Sequence, residues 1–162
     1  MPRSGRSGTT WPPGTPTTIR SCSRCTTSRS SRGGTQQWDD WKPIVQEFVD
    51  LIRTHAPYNI LLVSGPQYTQ NIAGCATNPV DGTNIVYVGH LYDFHYDPEG
   101  IGWSVAEQIA TCKAAYPVFL TEWGGDDPYY MGLIADVIRE HGLSATGFTF
   151  HNFWWPNMFN GG

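Results

Sequence analysis

Charge is scarce in this sequence and unevenly placed. Asp, Glu, Lys and Arg make up only 15 per cent of the 162 residues. None of the 14 acids lies in residues 1–34, although Arg3, Arg6, Arg20, Arg24, Arg29 and Arg32 do. The remainder, 35–162, is acidic, which argues against nucleic acid as the partner of a folded part. No apolar run approaches the ~20 residues of a membrane span. The first 30 residues lack the hydrophobic stretch of a secretory signal, so neither a membrane partner nor export through this N-terminus is expected. The four cysteines, Cys22, Cys25, Cys75 and Cys112, form one C-x-x-C with no second pair at zinc spacing, and we read that motif as chance. His90, Asp93, His95 and Glu122 could form a ligand set, but no helical H-E-x-x-H spacing preorganises them. No metal and no other cofactor is expected. The chain is also short of the roughly 250 residues of a complete (β/α)8 barrel.

What is present divides at Gly34. Residues 1–34 are Arg, Ser, Thr, Gly and Pro with almost no apolar periodicity. They cannot bury enough surface to offset their ordering entropy, and disorder is expected there. Beyond Gly34, Trp38, Trp41, Val45, Phe48 and Ile52 mark one face of an amphipathic helix. Apolar strands follow at 59–64, 84–88, 117–121 and 145–150. Between them a helix opens at Ser104, with Glu107 completing a capping box, and another opens at Asp127-Pro128 and ends at Gly142. Val105, Ile109 and Cys112 line the first of these two helices, and Met131, Ile134 and Ile138 the second. Strands alternating with helices of this length predict a parallel sheet with right-handed crossovers.

In such a sheet every strand presents its C-terminal end to one rim, where ligands bind. The chemistry-bearing residues stand at those ends. His90, Tyr92 and His95 follow the second strand, Glu122 and Trp123 close the third, and His151, Trp154 and Trp155 follow the last. A buried strand that delivers a carboxylate onto a glycine turn is costly unless the acid has a partner or a task. Aromatics at 14 per cent, seven of them Trp, exceed what a core of this size needs and suit a cleft that stacks sugar rings. The set meets the needs of glycoside hydrolysis: a carboxylate nucleophile, a phenol and an imidazole to hold it, and an indole floor. Asp93, immediately after Tyr92, reads as a capping or solvated acid rather than the second carboxyl that a retaining mechanism requires.

The strings VYVGHLYDFHY, YPVFLTEWGG and ATGFTFHNFWW, in this order and separated by helices, resemble the last strands of glycoside hydrolase family 5, the cellulase-type barrels. The resemblance implies an α/β fold: a partial (β/α)8 TIM barrel of roughly the last four βα units, spanning residues 35–162. It implies a retaining hydrolase of β-1,4-linked glucan, with mannan the next choice, and an extracellular site of action. Glu122 then matches the nucleophile, and His90 and Tyr92 match the H-x-Y pair of the family. Trp123, Trp154, Trp155, His95 and His151 are the expected substrate contacts.

The family's acid/base lies in an Asn-Glu-Pro string ahead of the Trp38 helix, and this sequence has none. Where it should stand is Cys25-Thr26-Thr27-Ser28-Arg29. One allowed spelling of those codons, TGT ACA ACG AGC CGN, becomes TAC AAC GAG CCG when the third base of each joins the first two of the next, which reads Tyr-Asn-Glu-Pro. A head translated in the wrong frame would account for both the odd composition and the missing motif. The chain is accordingly expected to be an inactive or nearly inactive hydrolase. The competing expectation is a non-catalytic carbohydrate-binding protein that keeps the aromatic cleft.

Overall fold

The computed structural model describes residues 17–19, 35–96 and 104–149. Five strands run in parallel in the order β1-β2-β3-β4-β5: Thr17–Ile19, Leu61–Val63, Ile85–Tyr92, Val118–Gly124 and Ser144–Gly147. Helices α1 (Thr35–Arg53), α3 (Val105–Ala115) and α4 (Pro128–Glu140) connect them. A short turn, α2 (Pro66–Thr69), leaves the end of β2. The unbroken run of parallel neighbours is the α/β barrel arrangement expected from the sequence, present here as an arc of the barrel. Among the described residues no helix is long and apolar enough to cross a membrane.

One strand lies where none was expected. Thr17–Ile19 pairs with Leu61–Val63, so these three residues of the basic head are ordered. Edge pairing uses backbone groups alone, and a strand of three residues is too short to leave a periodic signal in the sequence.

The core forms where the helices cover the sheet. Trp38, Trp41, Val45 and Val49 of α1 pack with Leu61, Val63, Tyr87 and Leu91 of the strands and with Val105, Ile109 and Cys112 of α3. The α1 stripe therefore takes Val49, not Phe48, which is 48 % exposed. At 100° per residue, Phe48 falls with Ile44 and Leu51 on a second, exposed stripe. Each buried indole has an acceptor, since Trp38 Nε1 donates to Asn78 O at 2.7 Å and Trp41 Nε1 to Ser64 O at 2.8 Å. Both are structural, as their place in the stripe implied.

The expected caps form. Ser104 Oγ accepts from the Glu107 amide, and Asp127 Oδ1 accepts from the Tyr129 amide with Pro128 in the first turn of α4. Gly142, at φ +55°, ends α4 in the left-handed conformation that favours glycine, and Leu143 N donates back to Ile138 O. Cys75, in the turn Ala73–Ala76, is disulfide-bonded to Cys112 on α3. Scattered spacing gave no hint of this pair.

Candidate active site

The site grows out of a register shift between β3 and β4. Tyr87, Val88 and Gly89 pair with Val118, Phe119 and Leu120, but His90 pairs with Glu122, so Thr121 is an extra residue on β4. Side chains alternate faces along a strand, and a one-residue bulge re-aims everything beyond it. Without the bulge Glu122 would stand on the face opposite His90. With it, His90, Tyr92 and Glu122 share one face of the sheet. The first strand of the pair runs on to Tyr92, so His90 and Tyr92 belong to the strand and not to a following loop.

A phenol and an imidazole converge on one carboxylate oxygen. Tyr92 OH donates to Glu122 Oε2 at 2.6 Å, and His90 Nδ1 lies 3.3 Å from the same oxygen. On its other side His90 Nε2 is 3.0 Å from Thr121 Oγ1, so the bulge residue holds the ring as well. A carboxylate neighbour calls for the proton on Nδ1, with Nε2 accepting from the Thr121 hydroxyl. Burial pushes the His90 imidazolium towards its neutral form, outweighing the opposing pull of Glu122. Burial, then the bond and charge of Glu122, raise the Tyr92 phenol far above its ordinary range, so it remains a proton donor. Glu122 itself is about one-third exposed, open to a ligand on one side and held from the other.

The other expected contacts divide. Trp123 does not join this group: one residue beyond Glu122, its indole lies on the opposite face and packs against the core. His95 is buried among the rings of Tyr92 and Phe94, and its Nδ1 accepts from the Tyr92 amide at 2.9 Å. It holds the backbone at the end of β3 rather than opening into the groove. Its Nε2 is buried with no hydrogen-bond partner among the described residues. His151, Trp154 and Trp155 lie outside the described residues. Sequence reasoning missed Thr121, whose role depends on a register that a single strand cannot reveal.

The buried His95 has a measurable consequence. Burial, followed by the nearby His90, pushes its imidazole down to about 4. The unfolded chain takes up this proton near 6.5 and the folded chain only near 4, so folding stability is complete above pH 6.5 and is lost as pH falls towards 4. A His95→Asn variant keeps an acceptor for the Tyr92 amide but does not titrate. Between pH 7 and 4 the wild type should lose on the order of 2–3 kcal/mol relative to it, read from urea midpoints at each pH. Parallel pH profiles would contradict this.

The sequence model of the cellulase family, glycosyl hydrolase family 5, matches residues 27–153. Curated relatives include an endoglucanase of Clostridium saccharobutylicum, 31 % identical over 98 residues that cover 59 % of this chain and 20 % of that protein. Another is endoglucanase A of Evansella cellulosilytica, 30 % identical over 57 % of this chain and 18 % of that protein. Among solved structures, a β-glucanase from Saccharophagus degradans in complex with cellotetraose superposes with a TM-score of 0.63 at 24 % identity, covering 76 % of this chain and 42 % of that one. The catalytic domain of a Thermobifida fusca endoglucanase gives 0.63 at 20 % identity, covering 78 % and 45 %. The structural likeness shows the shared fold. This chain spans about a fifth of the curated relatives and under half of those solved domains.

Proposed function

The chain belongs to the cellulases of glycosyl hydrolase family 5, and from that premise we propose that Glu122 is the nucleophile of a retaining hydrolysis of β-1,4-linked glucan. The observation that carries this reading is the meeting of Tyr92 OH and His90 Nδ1 on Glu122 Oε2. The Tyr92 hydroxyl and the His90 ring, both at one oxygen, hold the carboxylate in place while Oε1 attacks. The Oε1–anomeric carbon bond forms as the bond from that carbon to the leaving oxygen breaks, and water later cleaves the glycosyl ester. Glucan is favoured over mannan because the matched β-glucanase was solved with cellotetraose.

The leaving oxygen of a polysaccharide needs a proton, which the family's Asn-Glu-Pro glutamate would supply and which no such string supplies here. Hydrolysis of unactivated glucan by this chain is therefore expected to be negligible. For residues 1–34 we retain the wrong-frame reading. A stop codon in the shifted frame, or a shifted frame without Asn-Glu-Pro, would end it. An extracellular site of action is favoured by the Cys75–Cys112 disulfide, which persists in oxidising compartments.

The test uses 2,4-dinitrophenyl β-cellobioside, whose leaving group departs as a stable phenolate without a proton. Phenolate release should be readily measured and should accelerate with azide, which attacks the glycosyl ester without a general base. Soluble β-1,4-glucan should be cut far more slowly. Binding of cellobioside with no phenolate release at any azide concentration would favour the non-catalytic carbohydrate-binding alternative.

A further inference from the structure

We infer that the Asp93 carboxylate, seated over Gly125, is a clasp that fixes the Tyr92–Glu122 pair, making Asp93 a positioning residue for the reaction proposed above, on which its catalytic part rests. Tyr92 is the last residue of β3, and Glu122 stands two residues before the end of β4. Beyond these points the chain leaves the sheet in two separate segments, the turn Asp93–Tyr96 and the connection into α4. The β3–β4 ladder ends at the Tyr92–Gly124 pair and does not continue into these two exits.

Asp93 ties the two exits together. Its Oδ1 accepts from the Phe94 amide at 2.8 Å, which anchors the carboxylate to its own turn. Its Oδ2 reaches across to the other exit and accepts from the amides of Asp126 at 2.8 Å and Asp127 at 3.3 Å. Asp127 caps α4 through the Tyr129 amide, so the free amides ahead of that helix are divided between two carboxylates. The positive end of the α4 dipole adds to the attraction.

The fit is close enough to dictate the facing residue. A Cβ placed on Gly125 would lie 2.4 Å from Asp93 Cγ and 2.5 Å from its Oδ2, so only hydrogen fits there. The clasp thus has two halves, a carboxylate at 93 and a glycine at 125. Each is one residue from a strand end: Asp93 follows Tyr92, Gly125 follows Gly124, and Tyr92 and Gly124 are register partners. A phenol-to-carboxylate bond of 2.6 Å tolerates little drift between its two strands. With both oxygens accepting from backbone amides, Asp93 is engaged in holding the rim and is not spare to act as the second reacting carboxyl.

The test compares Asp93→Asn, Gly125→Ala, the double variant and a Leu143→Ala control in the full chain. Asp93→Asn preserves shape but turns an amide-accepting oxygen into a donor. Gly125→Ala evicts the carboxylate by contact. Leu143→Ala destabilises the core away from the rim. Inactivation by 2,4-dinitrophenyl 2-deoxy-2-fluoro-β-cellobioside gives a reagent affinity and a first-order labelling constant separately. Each clasp variant should lower the labelling constant about tenfold to a hundredfold, the scale of a misplaced reacting group, with reagent affinity unchanged. The double variant should be no slower than the slower single, because both break one device. Leu143→Ala should label at the wild-type rate.

Two readings need no reagent. Hydrogen exchange at the Asp126 and Asp127 amides should speed up in Asp93→Asn, and the alkaline ultraviolet titration of Tyr92 should move to lower pH as its bond to Glu122 loosens. Folded Asp93→Asn labelling at the wild-type constant, or additive losses in the double variant, would overturn the inference. If the wild-type chain takes no label, the proposed reaction fails. The clasp is then decided by exchange and titration: changes in Asp93→Asn support it, and wild-type behaviour in both overturns it.

Discussion

Glu122→Gln is expected to reduce phenolate release from 2,4-dinitrophenyl β-cellobioside by roughly 10⁴-fold or more while leaving the protein folded. The amide matches the carboxylate in shape but cannot form the glycosyl ester, so the covalent route closes. Stability should move little. The side chain is about one-third exposed, its amide oxygen can still accept from Tyr92, and the His90 ring keeps its contact with Thr121. Azide should not rescue the variant as a retaining enzyme. Any product it gives should be the α-azide formed by direct attack from the vacated face, whereas the wild type gives the β-azide by double displacement. A Glu122→Gln protein that releases phenolate within tenfold of wild type would mean that another group attacks.

Reduction of the Cys75–Cys112 disulfide should cost about 4 kcal/mol of folding stability, the loop-closure value for a separation of 37 residues. The bridge ties the turn Ala73–Ala76, which follows β2, to the inner face of α3. Both cysteines are fully buried, so replacing them would add packing losses, and a reductant gives the cleaner comparison. Urea unfolding with and without reductant reads the effect as a fall in midpoint, with the slope increasing because the unlinked denatured chain exposes more surface. A loss below about 1 kcal/mol would show that the packing of Ala73–Ala76 against α3 supplies the constraint without the bridge. Below the unfolding transition, labelling of Glu122 should proceed alike with the bridge intact and with it reduced.

Much of the fold was legible because burial leaves a period in the sequence. Trp38, Trp41 and Val45 announced α1, and Val105, Ile109 and Cys112 announced the inner face of α3, as the structure places them. Ser104, Asp127 and Gly142 marked helix ends through local chemistry that needs no tertiary partner. His90, Tyr92 and Glu122 could be gathered at one rim from topology alone, since parallel strands expose their C-terminal ends together.

What stayed hidden depends on partners distant in sequence. The bulge at Thr121 exists only relative to β3, yet it decides that Glu122 and not Trp123 faces Tyr92. The same reasoning from strand ends grouped Trp123 with the groove contacts, whereas its side chain packs against the core. Asp93 looked like a local cap. Its longer reach, to the amides of Asp126 and Asp127, appears only once the two strands lie side by side. Cys75 and Cys112 sit on different elements and share no spacing rule, and Thr17–Ile19 gains its order from a neighbour strand rather than from its own pattern.

The central claim is that Glu122 attacks the sugar while Tyr92 and His90 hold it. Its most direct measurement is peptide mapping of the chain after inactivation with 2,4-dinitrophenyl 2-deoxy-2-fluoro-β-cellobioside. The account predicts a single added fluorocellobiosyl group on the peptide carrying Tyr116 to Trp123, located by fragmentation on Glu122. A label on any other carboxylate, or an unlabelled chain that still binds the reagent, would contradict it.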